Sequence, residues 1–97
     1  MFSIALCEDN SLQREELKNN LSKVLDEIGV EYKLLTFETG EDLLREYPEN
    51  LDMLFLDIQM GELTGMETAR KVRKYDDKVE IIFITALWDY IQKGYEV

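Results

Sequence analysis

Glu8 and Asp9 stand side by side where the apolar run Met1–Cys7 breaks off, and Asp57 stands where the apolar run Asp52–Leu56 breaks off. Carboxylates are hard oxygen ligands, suited to a cation that prefers oxygen to nitrogen or sulfur. Thr85 closes a third apolar run, Val79–Thr85, with a hydroxyl able to donate to an oxyanion on Asp57. There is no histidine and one cysteine, Cys7. That composition excludes a histidine-based hydrolase, a histidine-ligated metal and a histidine phosphodonor within these residues. It also excludes an internal disulfide, which suits a reducing cytosol.

Each of these residues has a plain structural reading too. An acidic pair after a strand is commonly a turn before a helix N-terminus, where carboxylates favour the dipole. Thr85 taken alone is a β-branched residue at a strand end. Gly61 and Gly65 flank the segment after Asp57, and turn chemistry accounts for both. The acids rise above such readings only if their strands are neighbours.

The elements that must position them follow from periodicity. Met1–Cys7 reads as a strand, and Leu17, Leu21, Val24, Leu25 and Ile28 recur at helical spacing until Gly29. Glu31–Phe37 reads as a second strand. Thr39 with Asp42 is a capping signature for a short helix ending before Pro48. Asp52–Leu56 is a continuous apolar strand. Thr64 with Glu67 caps the next helix, whose buried stripe is expected at Met66, Ala69 and Val72. Val79–Thr85 is the fourth strand, and Ala86–Tyr95 begins a fourth helix.

Alternating strands and helices with short connections define an α/β protein, a doubly wound parallel sheet. Apolar strands without alternation agree, since parallel strands are covered on both faces. In the flavodoxin-like order 2-1-3-4-5, the first and third strands are adjacent, and ligands bind beyond their carboxyl ends. Glu8, Asp9 and Asp57 would then converge. Like charges about 4 Å apart repel by roughly 4 kcal/mol at an effective dielectric near 20, so the cluster needs a counter-ion. With no histidine or cysteine ligand at hand, Mg²⁺ is the natural one.

The 97 residues suit a single domain, 1–97, with 45% hydrophobic and 33% charged residues. A net charge of −10 argues against direct binding to nucleic acid or an anionic membrane. It fits a solvated acidic surface as well as a cation site. Met1 leads straight into a strand without a basic leader, and no apolar run is long enough to span a bilayer. A soluble, cytoplasmic protein is expected.

Assembled, these residues resemble the receiver domain of two-component signalling along the whole chain. The resemblance is carried by Glu8–Asp9 after the first strand, LDIQMGELTG from Leu56 to Gly65, ITA from Ile84 to Ala86, and the spacing from Asp57 to Thr85. The stretch IIFITALWDYIQKGYEV is similar in particular to receivers that precede LytTR-type DNA-binding domains. The resemblance implies that Asp57 is the nucleophile that takes a phosphoryl group from a sensor histidine kinase. It implies Mg²⁺ held by Glu8, Asp9, Asp57 and the backbone carbonyl of Gln59. Thr85 would swing toward the phosphoryl group, and the Ala86 backbone N–H would donate to it. Gln59 and Leu87 would tune the lifetime of the phosphate. The output would be control of transcription by a domain outside these residues.

Two departures stand out. Gly61 occupies a position where the family usually has proline. The fifth strand and helix, with the family's site lysine and switch aromatic, are expected beyond Val97. Lys93 falls too early for that lysine, and Tyr90 and Tyr95 read as helix-surface or packing residues. The fourth strand would then be a sheet edge exposing Ile81 and Phe83, inviting a homodimer through this edge and the fourth helix. Trp88, on the same side, fits an interface and core packing equally. The leading expectation is a signalling switch, not an enzyme with turnover of its own. A phosphorylation-independent pseudo-receiver and a Mg²⁺-dependent aspartate phosphatase are the alternatives; the phosphatase lacks its second acid, because Ile58 and Gln59 follow Asp57.

Overall fold

Four parallel strands alternate with three helices over residues 1–84, the part of the chain that the computed structural model describes. They are β1 (Phe2–Cys7), α1 (Ser11–Ile28), β2 (Tyr32–Phe37), α2 (Gly40–Arg45), β3 (Met53–Asp57), α3 (Gly65–Arg73) and β4 (Glu80–Ile84). The sheet order is β2-β1-β3-β4, as the doubly wound reading requires. The expected fourth helix lies outside the described residues, and with it Thr85, Ala86, Leu87, Trp88, Tyr90, Lys93 and Tyr95.

Local chemistry sets the helix ends. The Asn10 side chain caps α1 by accepting from the Gln13 N–H, and Gly29 stops it in the left-handed conformation at φ 81°. There the Gly29 N–H closes onto the carbonyls of Leu25 and Asp26. Thr39 caps α2 through the Asp42 N–H at 3.0 Å. Thr64 and Glu67 form a reciprocal capping box at the start of α3.

The core lies between the sheet and the α2/α3 layer. Ala5 and Cys7 of β1 and Leu54 and Leu56 of β3 meet Leu43 of α2 and Ala69 and Val72 of α3. Full burial of a leucine contributes roughly 1.5–3 kcal/mol each, so these contacts fix strand register and helix placement together.

Of the apolar series on α1, Leu17, Leu21 and Leu25 are half-buried and Val24 and Ile28 are 51% and 65% exposed, so no residue of this helix is fully buried. Two expectations change. Met66 is 44% exposed: the buried face of α3 runs through Gly65, Thr68, Ala69 and Val72, which turns Met66 outward. On β4, Phe83 is exposed as expected, but Ile81 is half-buried. It pairs beside Leu54 and packs on the core.

Candidate functional site

Cys7 and Leu56 are partners in the parallel pairing of β1 with β3. One residue further along each strand stand Glu8 and Asp57, so the register itself brings the two acids side by side at the carboxyl edge of the sheet. Asp9 follows Glu8 directly. Glu8, Asp9 and Asp57 each offer a carboxylate oxygen, and these atoms all lie within 4.8 Å of one another. The convergence expected from strand order is therefore present.

The three acids differ in setting. Asp9 is exposed and Asp57 half-buried, whereas Glu8 is only 1% exposed. Burial, a hydrogen bond shared with Asp57 and the Asp57 charge push the Glu8 carboxyl up to about 8. The Asn10 N–H, 3.2 Å from Glu8 Oε1, opposes that shift. The Glu8 backbone is fixed from two sides, its N–H donating to the Phe37 carbonyl and its carbonyl accepting from Arg14 Nη1 at 2.9 Å.

The segment after Asp57 folds back over the sheet end. The Gln59 N–H donates to Asp57 Oδ1 at 3.3 Å, and the Ile58 N–H donates to the Ile84 carbonyl at 3.2 Å. The Gly65 N–H donates to the Ile58 carbonyl at 3.0 Å, which seats the start of α3 against the end of β3. Below the acids, the Cys7 thiol donates to Met60 Sδ at 3.4 Å and ties β1 to this segment. Burial first, then the charge of Glu8, pushes the Cys7 thiol up to about 12, so it supplies no thiolate ligand or nucleophile.

Of the expected site residues, Glu8, Asp9 and Asp57 are brought together, and Gln59 touches Asp57 through its N–H. Thr85 and Ala86 lie outside the described residues, although Ile84, the residue before Thr85, pairs with Asp57. Neither Gly61 nor Gly65 needs a left-handed backbone, since among the described glycines only Gly29 has a positive φ, and at Gly65 the close approach of the Asp57 peptide leaves no room for a side chain. Sequence reasoning also passed over Arg14 and Met60. Asn10 carried a legible signal, a capping residue before a helical pattern; Arg14 and Met60 carried none, since their contacts depend on the folded loops.

The family model of the response regulator receiver domain matches residues 4–97. The chain is a member of that family. The receiver is 38% identical over 97 residues to the sensory transduction protein LytT of Oceanobacillus iheyensis, covering 97% of this chain and 38% of that protein. It thus spans about two-fifths of the length of the LytT relatives it matches. Among solved structures, the response regulator TrrA of Thermotoga maritima in complex with Mg²⁺-BeF is 32% identical with a TM-score of 0.76, over 97% of this chain and 77% of that one. TrrA in complex with the histidine kinase ThkA gives 33% identity and a TM-score of 0.73, over 89% and 70% of the two chains. The receiver fold expected from the residues is the fold observed. Among the described residues, no helix is long and apolar enough to cross a membrane.

Proposed function

We propose that this receiver, acting as one unit over residues 1–97, accepts a phosphoryl group on Asp57 from the phosphohistidine of a sensor histidine kinase. The observation that carries the reading is the convergence of three carboxylates within 4.8 Å at the ends of adjacent strands. A carboxylate oxygen of Asp57 attacks phosphorus, a P–O bond forms, and the P–N bond to the kinase imidazole breaks. The kinase histidine leaves with the electron pair and takes up a proton. TrrA, seen both with Mg²⁺-BeF and with a histidine kinase, lends support to the partner and to the metal.

The residues present fit Mg²⁺. The donors are carboxylate oxygens, the one thiol nearby stays protonated, and a buried Glu8 pressed on Asp57 is a charge conflict that a dication relieves. Glu8, Asp9, Asp57 and the Gln59 carbonyl would hold it, and it would neutralise charge developing on the phosphoryl oxygens. The Gln59 N–H donates to Asp57 Oδ1 and helps orient that carboxylate. Thr85 and the Ala86 N–H would receive the phosphoryl oxygens and pass the event to the surface around the fourth helix.

No acid stands two residues after Asp57, which favours a switch over a phosphatase with its own turnover. The LytT relatives, named sensory transduction proteins, support a signalling role; transcription control by a domain outside these residues and a cytoplasmic location belong to the same proposal. A homodimer through the β4 edge and fourth helix belongs to the same proposal. The test is intact-mass analysis after incubation with acetyl phosphate, with and without Mg²⁺. A single phosphoryl increment that needs Mg²⁺ and is absent from Asp57→Ala is expected. No increment on the wild type would defeat the proposal, and an unphosphorylated chain that still binds the kinase would point to the pseudo-receiver.

A further inference from the structure

We infer that Gly65 is a positioning residue for Asp57, a role that rests on the phosphoacceptor reading above. A Cβ at position 65 would lie 2.1 Å from the Asp57 carbonyl oxygen, 2.9 Å from its carbonyl carbon and 3.0 Å from Ile58 Cα. All three neighbours are backbone, and the first is nearly an ångström inside the closest approach that real Cβ atoms make. Gly65 has no left-handed backbone, so the glycine is not there for a turn. It is there because the first residue of α3 rests directly on the peptide of the proposed nucleophile.

Neither side of that contact can yield without consequence. Withdrawing α3 would pull Thr68, Ala69 and Val72 out of buried positions and strain the Thr64 capping box. Shifting the Asp57 peptide would disturb its pairing with Ile84 and the Ile58 N–H to Ile84 carbonyl bond. Either movement reorients the Asp57 carboxylate relative to Glu8 and Asp9. A side chain at 65 therefore damages metal binding and phosphoryl transfer through Asp57 while leaving every carboxylate in place.

The experiment compares Gly65→Ala with two other glycine variants of the same chain. In Gly61→Ala the new Cβ meets nothing within 4 Å. In Gly40→Ala it meets the side-chain Oγ1 of Thr68 at 2.2 Å, a packing fault against a buried side chain of α3 rather than against the Asp57 peptide. Mn²⁺ binding is read by electron paramagnetic resonance of the free ion, and labelling by acetyl phosphate is read by intact mass, both corrected for the folded fraction by circular dichroism. Gly65→Ala is expected to slow labelling about a hundredfold, as a misplacement near 1 Å does. Its Mn²⁺ affinity should fall about tenfold, the loss typical of a missing supporting group. The other two variants should match the wild type. Wild-type labelling and affinity in Gly65→Ala, or an equal loss in Gly40→Ala, would overturn the inference. Should Gly65→Ala not fold, amide resonances of the wild type decide. The Gly65 N–H must shift on Mn²⁺-free Mg²⁺ titration with the midpoint of the Gln59 N–H, and a static Gly65 signal would overturn the inference. A wild type that binds Mn²⁺ yet never gains phosphate would instead defeat the phosphoacceptor reading, with the binding comparison still deciding the place of Gly65.

Discussion

Glu8, just past β1, and Asp57, at the end of β3, stand one residue beyond the Cys7–Leu56 pair, and their carboxylate oxygens lie within 4.8 Å of each other at the sheet end. Two acids so placed cannot both be charged cheaply without a cation, and burial holds the Glu8 proton well above the usual carboxylate range.

That pairing sets a pH dependence. Glu8 rises from its ordinary 4.5 to about 8 in the folded chain. Between those values the folded chain holds a proton that the unfolded chain has lost, so metal-free stability falls as pH rises from about 4.5 to about 8. Urea denaturation across this range should show the decline, and Glu8→Gln should flatten it. Mg²⁺ affinity should run the other way, climbing as Glu8 deprotonates toward pH about 8.

Mg²⁺ should also act as a stabilising ligand. At a concentration about a hundredfold above its Kd, it should add about 2.7 kcal/mol to the unfolding free energy. Thermal melts with and without Mg²⁺ check this, and Asp57→Ala should lose most of the increment.

The Thr64 capping box anchors the start of α3, where Gly65 meets Asp57. Thr64→Ala should cost about 1 kcal/mol in equilibrium denaturation, the usual loss for a capping hydroxyl. Thr64→Ser should recover most of it.

The sheet–helix core and the outer face of α1 should respond very differently to truncation. Leu54→Ala, at the second residue of β3 and fully buried, should cost roughly 2–5 kcal/mol. Val24→Ala, half-exposed on α1, should stay within about 0.5 kcal/mol of the wild type. A large effect at Val24 would show that another surface covers this helix face.

Cys7 is buried against Met60 with its thiol pushed up to about 12. It should resist a disulfide-exchange reagent at pH about 8 in the folded chain and react fully once urea unfolds it. Rapid reaction of the native thiol would contradict this placement.

Much of the chain's plan was legible in the residues. Continuous apolar runs between helical patterns fixed a parallel α/β sheet, because strands covered on both faces admit no alternation. Thr39, Thr64 and Gly29 announced their helix ends by side-chain and backbone chemistry that is local. Acids directly after two apolar strands marked a site once those strands were taken as neighbours. What the tertiary structure alone decided are the contacts made at a distance along the chain. Only the Cys7–Leu56 register makes Glu8 a buried acid and Asp9 an exposed one, though they are adjacent and chemically alike. Only the seating of α3 on β3 turns Gly65 from a turn residue into a support for Asp57, and turns Met66 away from the core. Periodicity records which faces are apolar; how closely two backbones approach depends on packing that no local pattern carries.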